Sequence, residues 1–169
     1  MILRDFLLDT CVWSDWYNPR KDRYIISWLE NNRDIRLHIS VVSLGELQYG
    51  FDVLSQRERR ELGNVIEFVH GQGPMVVEIT KHVALEYGRI RAKLFERFAP
   101  NDKKRKGLRP EQLRDPVTSL ELGIQENDLW IAAQAITRNL TLVTNDKLKR
   151  ILEVTDENLH IESWAVDDT

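Results

Sequence analysis

The chain has 169 residues, of which 42% are hydrophobic and 30% charged, and its formal net charge is −3. A chain of this length and composition can bury a core of its own, so we expect one soluble globular domain over residues 1–169. The acidic balance excludes a protein that binds nucleic acid through its overall charge. Any such binding has to come from a local patch of cations.

Sequence features of membrane and secreted proteins are absent. The sequence has no run of about eighteen apolar residues, so we expect no transmembrane helix. Residues 1–10 lack the basic region and the small-residue cleavage site of a signal peptide. The single cysteine, Cys11, cannot form an internal disulfide, which agrees with a reducing compartment. We therefore expect a cytoplasmic protein with no membrane partner.

The first predicted strand ends in an acid. Phe6-Leu7-Leu8 is a short apolar run, and Asp9 follows it directly. An acid at this position has two interpretations: it caps a following helix, or it lies at the carboxyl edge of a sheet as part of a site. A helix is predicted next over residues 20–31, where apolar residues recur at helical spacing.

A second strand is predicted over residues 37–42, where apolar and branched side chains alternate. Ser40 or Ser43 can cap the helix that follows. Ser43 and Glu46 have the spacing of a capping box, so Glu46 is either a reciprocal cap or an acid that points over the sheet edge. Residues 56–69 are then predicted to form one charged amphipathic helix.

A turn over residues 71–74 precedes a third predicted strand over residues 76–79. Thr80 is predicted to cap a helix that ends at about Phe98. Residues 99–115 break the pattern as an exposed basic insertion, which is either a flexible solvated loop or a cluster of cations that meets phosphate. The candidate RNA-binding residues of this insertion are Lys103, Lys104, Arg105 and Lys106.

The most informative stretch is a helix followed by a strand. Glu126 or Asn127 can cap the helix, and Asp128 then lies in its first turn, where the helix dipole stabilises a carboxylate. A strand rich in β-branched residues is predicted over residues 141–144. Asp146 therefore emerges just past the carboxyl end of a strand, which is the edge where open α/β sheets bind ligands.

Strands and helices alternate to the end of the chain, with a short helix predicted over residues 147–152 and a last strand over residues 159–161. This alternation predicts a mostly parallel sheet covered on both faces by helices. Carboxylates at one edge of such a sheet suit Mg²⁺ or Mn²⁺, and divalent ions held by acids most often act on phosphates. The candidate metal ligands and catalytic residues are Asp9, Glu46, Asp128 and Asp146.

Four segments carry these acids: residues 7–13, 40–50, 127–133 and 142–146. In this order they resemble the four acidic motifs of a known family, the PIN-domain ribonucleases, and within it the VapC-type toxins of type II toxin–antitoxin pairs. A single motif of this kind would be weak evidence. Four in the expected order span nearly the whole chain, so the resemblance is specific.

The resemblance implies a three-layer α/β/α sandwich with a central, mostly parallel sheet and one acidic pocket. It implies Mg²⁺- or Mn²⁺-dependent endonucleolytic cleavage of structured RNA such as tRNA or rRNA by activated water. In that function Asp9, Glu46, Asp128 and Asp146 are metal ligands, and Thr144 supports the pocket by hydrogen bonding. Members of the family commonly form homodimers and are inhibited by a cognate antitoxin protein, so both partners are expected.

Two features depart from the family pattern. Cys11 stands where the family often has Asn or Ser, and the insertion over residues 99–115 makes the chain longer than the compact toxins. Two alternatives to a nuclease stay open. One is a PIN-like module that binds RNA or protein without cutting. The other is a metal-dependent phosphatase of another α/β family, although Cys11 occupies the position where such enzymes usually have a second Asp.

Overall fold

A computed structural model describes residues 4–18, 20–101 and 107–164. Strands and helices alternate along much of this chain, and two short 3-10 helices lie at Pro110–Gln112 and Asp156–Asn158. The regular elements are, in chain order, β1 (Arg4–Leu8), α1 (Thr10–Tyr17), α2 (Asp22–Asn31), β2 (Ile35–Ser40), α3 (Val41–Asp52), α4 (Gln56–Leu62), α5 (Val65–Gly71), β3 (Met75–Val77), α6 (Lys81–Phe98), α7 (Glu126–Arg138), β4 (Thr141–Val143), α8 (Lys149–Thr155) and β5 (Ile161–Glu162).

The strands form one five-stranded sheet in the order β3-β2-β1-β4-β5, and every pairing in it is parallel. The predicted α/β class with a central parallel sheet is therefore confirmed. The second half of the central strand β1 is apolar, and its residues Phe6, Leu7 and Leu8 are buried. The chain adds β2 and β3 on one side of β1, and β4 and β5 on the other. The carboxyl ends of β1 and β4 thus flank the switch point where such sheets bind ligands.

The described residues group into two compact units. The first unit takes its residues from 1–78, 140–146 and 161–169, and it contains the whole sheet with helices α1 to α5. The second unit takes its residues from 79–139 and 147–160, and it contains helices α6 to α8.

Aromatic side chains fill much of the core of the first unit. The rings of Trp28 and Trp164 stack with 3.7 Å between their centroids, and Phe6 meets each of them edge-on at 5.3 Å. Trp13 is fully buried and stacks on Trp16. Burial of large aromatic surfaces contributes strongly to stability, so this unit has a core that can hold the sheet edge rigidly.

The second unit is built on the long helix α6, which packs against α7 and α8. Its buried residues Ile90 and Leu94 recur at helical spacing, as predicted for the helix that Thr80 caps. The Thr80 hydroxyl accepts the Val83 N–H at 3.4 Å, which confirms that cap. At the other end of the helix, Arg97 forms an ion pair with Glu153 of α8 at 2.9 Å.

The predicted single helix over residues 56–69 is wrong, because α4 and α5 are separate. Gly63 ends α4 with a φ of +81°, a conformation that strongly favours glycine. The side chain of Asn64 then accepts the N–H groups of Ile66 and Glu67 and so begins a new helix.

The predicted caps of two helices have different outcomes. Ser40, one of the two predicted candidates, caps α3 by accepting the Val42 N–H at 2.9 Å, whereas Ser43 lies inside the helix and does not form a capping box with Glu46. The N-cap of α7 is Gln125, rather than Glu126 or Asn127. The Glu126 N–H instead donates to the Glu111 carboxylate at 2.8 Å, a contact that sequence spacing does not indicate.

The remaining differences are shifts of boundaries. The second strand is Ile35–Ser40 rather than 37–42, and the third strand is Met75–Val77 rather than 76–79. The last helix begins at Lys149, and the last strand is Ile161–Glu162. Helix α1 is not among the predicted elements. No helix in the described part of the chain combines the length and the apolar character that crossing a membrane requires.

Candidate metal site

Asp9 follows the last residue of β1 and is 6% exposed. Both predicted roles apply to it, because it lies at the carboxyl edge of the sheet and is also the N-cap of α1. Its Oδ1 accepts the Thr10 N–H at 2.7 Å, and its Oδ2 accepts the Thr144 hydroxyl at 2.8 Å. The Cys11 thiol also contacts Oδ2, at 3.6 Å. These donors fix the orientation of the carboxylate.

Thr144 follows β4 and connects Asp9 to the next acid of the chain. Its hydroxyl donates to Asp9 and accepts the Asp146 N–H at 3.1 Å. The Asp9 N–H in turn donates to the Val143 carbonyl at 2.9 Å, so the ends of the two strands are hydrogen-bonded to each other. The structure therefore brings Asp9 and Asp146 to one edge of the sheet, as their positions after β1 and β4 predict.

Asp9, Cys11 and Asp146 form a cluster of potential metal ligands. One ligand atom from each lies within 4.8 Å of the other two, and the three side chains are buried, half-buried and exposed, respectively. The Cys11 sulfur also lies 3.6 Å from the Thr144 hydroxyl and accepts the Asn145 N–H at 3.5 Å. The cluster is thus open to solvent on the side of Asp146.

Glu46 is half-buried on α3. Its carboxylate accepts a hydrogen bond from the Thr10 hydroxyl. Since the N–H of Thr10 donates to Asp9, this one residue contacts both acids. Asp128, the remaining predicted ligand, lies in the second unit, where it is half-buried in the first turn of α7.

The surroundings of Asp9 oppose its negative charge. Burial raises the pKa of Asp9 above its ordinary value, and the nearby Asp146 adds to the increase, while hydrogen bonds from Thr144, Thr10 and Cys11 oppose it. Burial also raises the pKa of the Cys11 thiol to about 11, with a further contribution from Asp9. The thiol is therefore protonated near neutral pH and is a weak ligand.

This donor set fits a hard divalent cation. Asp9 and Asp146 offer carboxylate oxygens, which are the ligands that Mg²⁺ and Mn²⁺ prefer. A cation at this point would relieve both effects that raise the pKa of Asp9, the burial of its charge and the repulsion from Asp146. The acidic cluster can therefore bind a metal ion.

Comparison with known proteins identifies the family. A family model of the PIN domain matches residues 6–154 of the chain. The chain belongs to the PIN-domain family. Ribonuclease VapC2 of Rickettsia felis is 30% identical to it over 165 residues, which cover 94% of this chain and 97% of that protein.

Solved structures agree with this assignment. The crystal structure of VapBC2 from Rickettsia felis, bound to a DNA fragment from its promoter, matches with a TM-score of 0.62 and 27% identity, covering 95% of this chain and 98% of that chain. DNA-bound VapBC from Salmonella typhimurium matches with a TM-score of 0.61 and 26% identity, covering 97% and 100%, respectively. The predicted resemblance to VapC-type PIN domains is confirmed.

Thr10 contacts two candidate ligands of this PIN domain, Asp9 and Glu46, and it is not among the predicted site residues. The available signal is its place directly after Asp9, at the first position of a helix whose N-cap is that acid. Its contact with Glu46 joins residues 36 positions apart. Such a contact depends on how α1 and α3 pack, and sequence spacing alone does not reveal it.

The basic insertion is described only in part. The predicted RNA-binding residues Lys103, Lys104, Arg105 and Lys106 lie outside the described residues. The prediction of an exposed stretch is wrong for the part that follows them, because Pro110 begins a 3-10 helix and is buried, and Leu113 is 1% exposed. Arg114 then pairs with Glu121 through an isolated β-bridge and an ion pair at 2.9 Å.

Proposed function

We propose that this PIN-domain protein is a metal-dependent endoribonuclease and the toxin of a toxin–antitoxin pair. The observation that carries the proposal is the buried Asp9 carboxylate beside Asp146, at the carboxyl ends of two adjacent parallel strands. The relative from Rickettsia felis is named a ribonuclease and is similar to this chain over nearly its whole length, which supports the same activity here.

Asp9, Glu46, Asp128 and Asp146 would hold Mg²⁺ or Mn²⁺. Contacts in the first unit support the roles of Asp9, Glu46 and Asp146, and the resemblance to the family motifs supports that of Asp128. The chemistry that a bound divalent ion would supply is the activation of water for attack on phosphorus and the neutralisation of negative charge on the phosphate oxygens.

The protein's own residues would orient the acids for this chemistry. The Thr144 hydroxyl has one proton and donates it to Asp9 Oδ2, which fixes how that carboxylate faces the solvent-exposed Asp146. Thr10 holds the Glu46 carboxylate through its hydroxyl and the Asp9 carboxylate through its N–H. Metal affinity and catalytic rate both depend on such supporting hydrogen bonds.

The RNA substrate is a polyanion, and we propose that Lys103, Lys104, Arg105 and Lys106 contact its phosphates. A cognate antitoxin and a second copy of the chain are the proposed protein partners. The antitoxin is supported by similarity to VapBC structures, and the homodimer by the family resemblance. If the cations of the insertion bind phosphate, neutralising them should weaken RNA binding and reduce its dependence on salt.

A cleavage assay tests the activity. Purified protein, freed of any partner, is incubated with total cellular RNA and Mg²⁺, Mn²⁺ or a chelator. Asp9→Asn and Asp146→Asn test the site because Asn keeps the shape but removes the charge that holds a metal. Asp52→Asn is the matched control, since Asp52 ends α3 and contacts Gln48 at 3.0 Å.

Discrete cuts that need a divalent ion, disappear in both site variants and persist in the control are the expected result. Absence of cleavage by folded, partner-free protein would contradict the proposal. It would favour the alternative of a PIN-like module that binds RNA or protein without cutting. Release of phosphate from small molecules without RNA cleavage would instead indicate a phosphatase.

A further inference from the structure

A polar cluster in the second unit surrounds the beginning of α7, the helix that carries Asp128. It consists of Tyr87 and Arg91 on α6, together with Glu126 at the first position of α7. The Tyr87 hydroxyl donates to the Glu126 carboxylate. Arg91 donates to the same carboxylate at 3.2 Å and to the Tyr87 hydroxyl at 2.7 Å. Each member of this Tyr87–Arg91–Glu126 cluster therefore contacts the other two.

Two further contacts restrict the beginning of α7. The Tyr87 ring stacks on Trp130, with 3.7 Å between centroids and 2° between planes. The Glu126 N–H donates to the Glu111 carboxylate at 2.8 Å, which satisfies one of the N–H groups that a helix N-terminus leaves unpaired. A ring stack, an ion pair and a hydrogen bond to a backbone N–H thus hold the beginning of α7.

The cluster also connects α7 to the end of the basic insertion. Arg91 Nη2, the terminal nitrogen that does not contact Tyr87 or Glu126, donates to the Leu108 carbonyl at 3.0 Å. Glu111 lies three residues later, in the 3-10 helix Pro110–Gln112. The chain that returns from the insertion is therefore fixed to the same helical turn that contains Asp128.

We propose that Tyr87, Arg91 and Glu126 are positioning residues that hold Asp128 in place for binding a divalent cation. This inference rests on the proposed function, in which Asp128 is a metal ligand. Asp128 lies two residues after Glu126 in the same first turn, so a shift or fraying of that turn moves its carboxylate. Ligands must be held to a fraction of an ångström for full affinity.

Tyr87→Phe is the cleanest variant because it keeps the ring stack and every charge, and removes only the hydroxyl. Changes in residues that orient metal ligands commonly weaken metal binding about 10- to 100-fold. Since this cluster acts through the backbone of α7, we expect a smaller loss of Mn²⁺ affinity, about 3- to 10-fold. Isothermal titration calorimetry with Mn²⁺ and no RNA measures it independently of catalysis.

Arg91→Gln separates positioning from simple electrostatics because the two effects have opposite signs. Removing a positive charge near a cation site strengthens cation binding by Coulomb's law. Loss of the contacts to Glu126, Tyr87 and Leu108 weakens it if the cluster positions Asp128. We expect weaker Mn²⁺ binding, also by about 3- to 10-fold. Arg97→Gln is the control, since it removes the same charge from α6 but loses contacts with Glu153 and the Phe98 ring, which lie outside the Tyr87–Arg91–Glu126 cluster.

The outcomes distinguish this inference from the proposed function. Wild-type protein that binds no Mn²⁺ would contradict the proposed function itself. If wild-type protein binds Mn²⁺ and Asp128→Asn binds it less tightly, unchanged affinity in Tyr87→Phe, or tighter binding in Arg91→Gln, would overturn the positioning role. Unchanged Mn²⁺ affinity in Asp128→Asn would also overturn the positioning role, and it would leave Asp9, Glu46 and Asp146 as the proposed ligands. If Arg91→Gln does not fold, Tyr87→Phe decides.

Discussion

Replacing Thr144 with valine is predicted to destabilise the protein in a manner that depends on pH. Thr144 is 1% exposed, and valine has nearly the same shape, so the change removes a hydroxyl without opening a cavity. That hydroxyl donates to the buried Asp9 carboxylate at 2.8 Å. A hydrogen bond to a charged group contributes about 1.5–3 kcal/mol. The Asp146 N–H, which also loses its acceptor, belongs to an exposed residue and can bond to water.

We therefore expect a loss of about 2 kcal/mol near neutral pH, or about 4–8 °C in Tm for a chain of this length. The sign of the pH dependence follows from Asp9. The pKa of Asp9 is raised in the folded protein. Protonation of Asp9 therefore stabilises the folded protein fully at pH values below the unfolded pKa of about 4, and this stabilisation is lost as pH rises through the folded pKa. The Thr144 hydroxyl lowers the Asp9 pKa, so its removal raises the folded value further.

The difference between Thr144→Val and wild type should thus be about 2 kcal/mol near neutral pH and smaller below about pH 4, where Asp9 is protonated. Urea unfolding with a chelator present measures both values without interference from metal. Thr137→Val is the control, because the Thr137 hydroxyl donates to the Ala133 carbonyl within α7 and contacts no acid there. An equal loss at both pH values, or the same pH dependence in the control, would refute the reasoning.

Three other changes have expected outcomes. The hydrogen bond from Arg36 at 2.7 Å lowers the pKa of Asp5. The ionised Asp5 therefore stabilises the folded protein above about pH 4, and this contribution is lost in acid. Asp5→Asn should therefore cost about 0.5–1 kcal/mol in urea unfolding near neutral pH, and progressively less in acid. Thr10→Val removes the donor to Glu46 and should slow RNA cleavage about tenfold. Gly63→Ala should cost about 1–2 kcal/mol in urea unfolding, because φ is +81° there.

Matched variants control two of these predictions, and the pH dependence checks the third. Thr10→Ser keeps the hydroxyl and should retain most of the cleavage rate, and a slow serine variant would point to lost packing instead. Gly50→Ala lies inside α3 with open space around the added methyl group, so it should stabilise by about 0.5–1 kcal/mol. A loss at Gly50 equal to that at Gly63 would contradict the backbone argument. An Asp5→Asn effect that persists in acid would contradict the ion-pair argument.

The sheet and its edge could be predicted because their signals are local. Phe6-Leu7-Leu8 reads as a buried strand, and an acid follows it, just as Asp146 follows the strand at Thr141–Val143. Parallel pairing then brings the two acids together. Element order and apolar runs carry this information, and neither depends on contacts between distant residues.

Contacts between distant residues account for part of what the sequence did not reveal. The Glu126 N–H at the beginning of α7 donates to Glu111, which lies 15 residues earlier, and the partner of Glu46 is Thr10, 36 residues away. In both places a local capping pattern was available and the folded chain used a different partner. Local patterns compete with tertiary contacts, and a single sequence does not show which of the two is formed.

Asp5 and Asp9 lie four residues apart, and their surroundings assign them different roles. Arg36 and His38 contact Asp5 and lower its pKa, so its charge is already neutralised by the protein. The donors to Asp9 are a backbone N–H, a hydroxyl and a thiol, which orient its carboxylate without cancelling its charge. A Lys or Arg there would have compensated the burial of Asp9 but would also have competed with a divalent cation. Neutral donors leave that charge available to a metal, and this makes Asp9 a candidate ligand and Asp5 a structural acid.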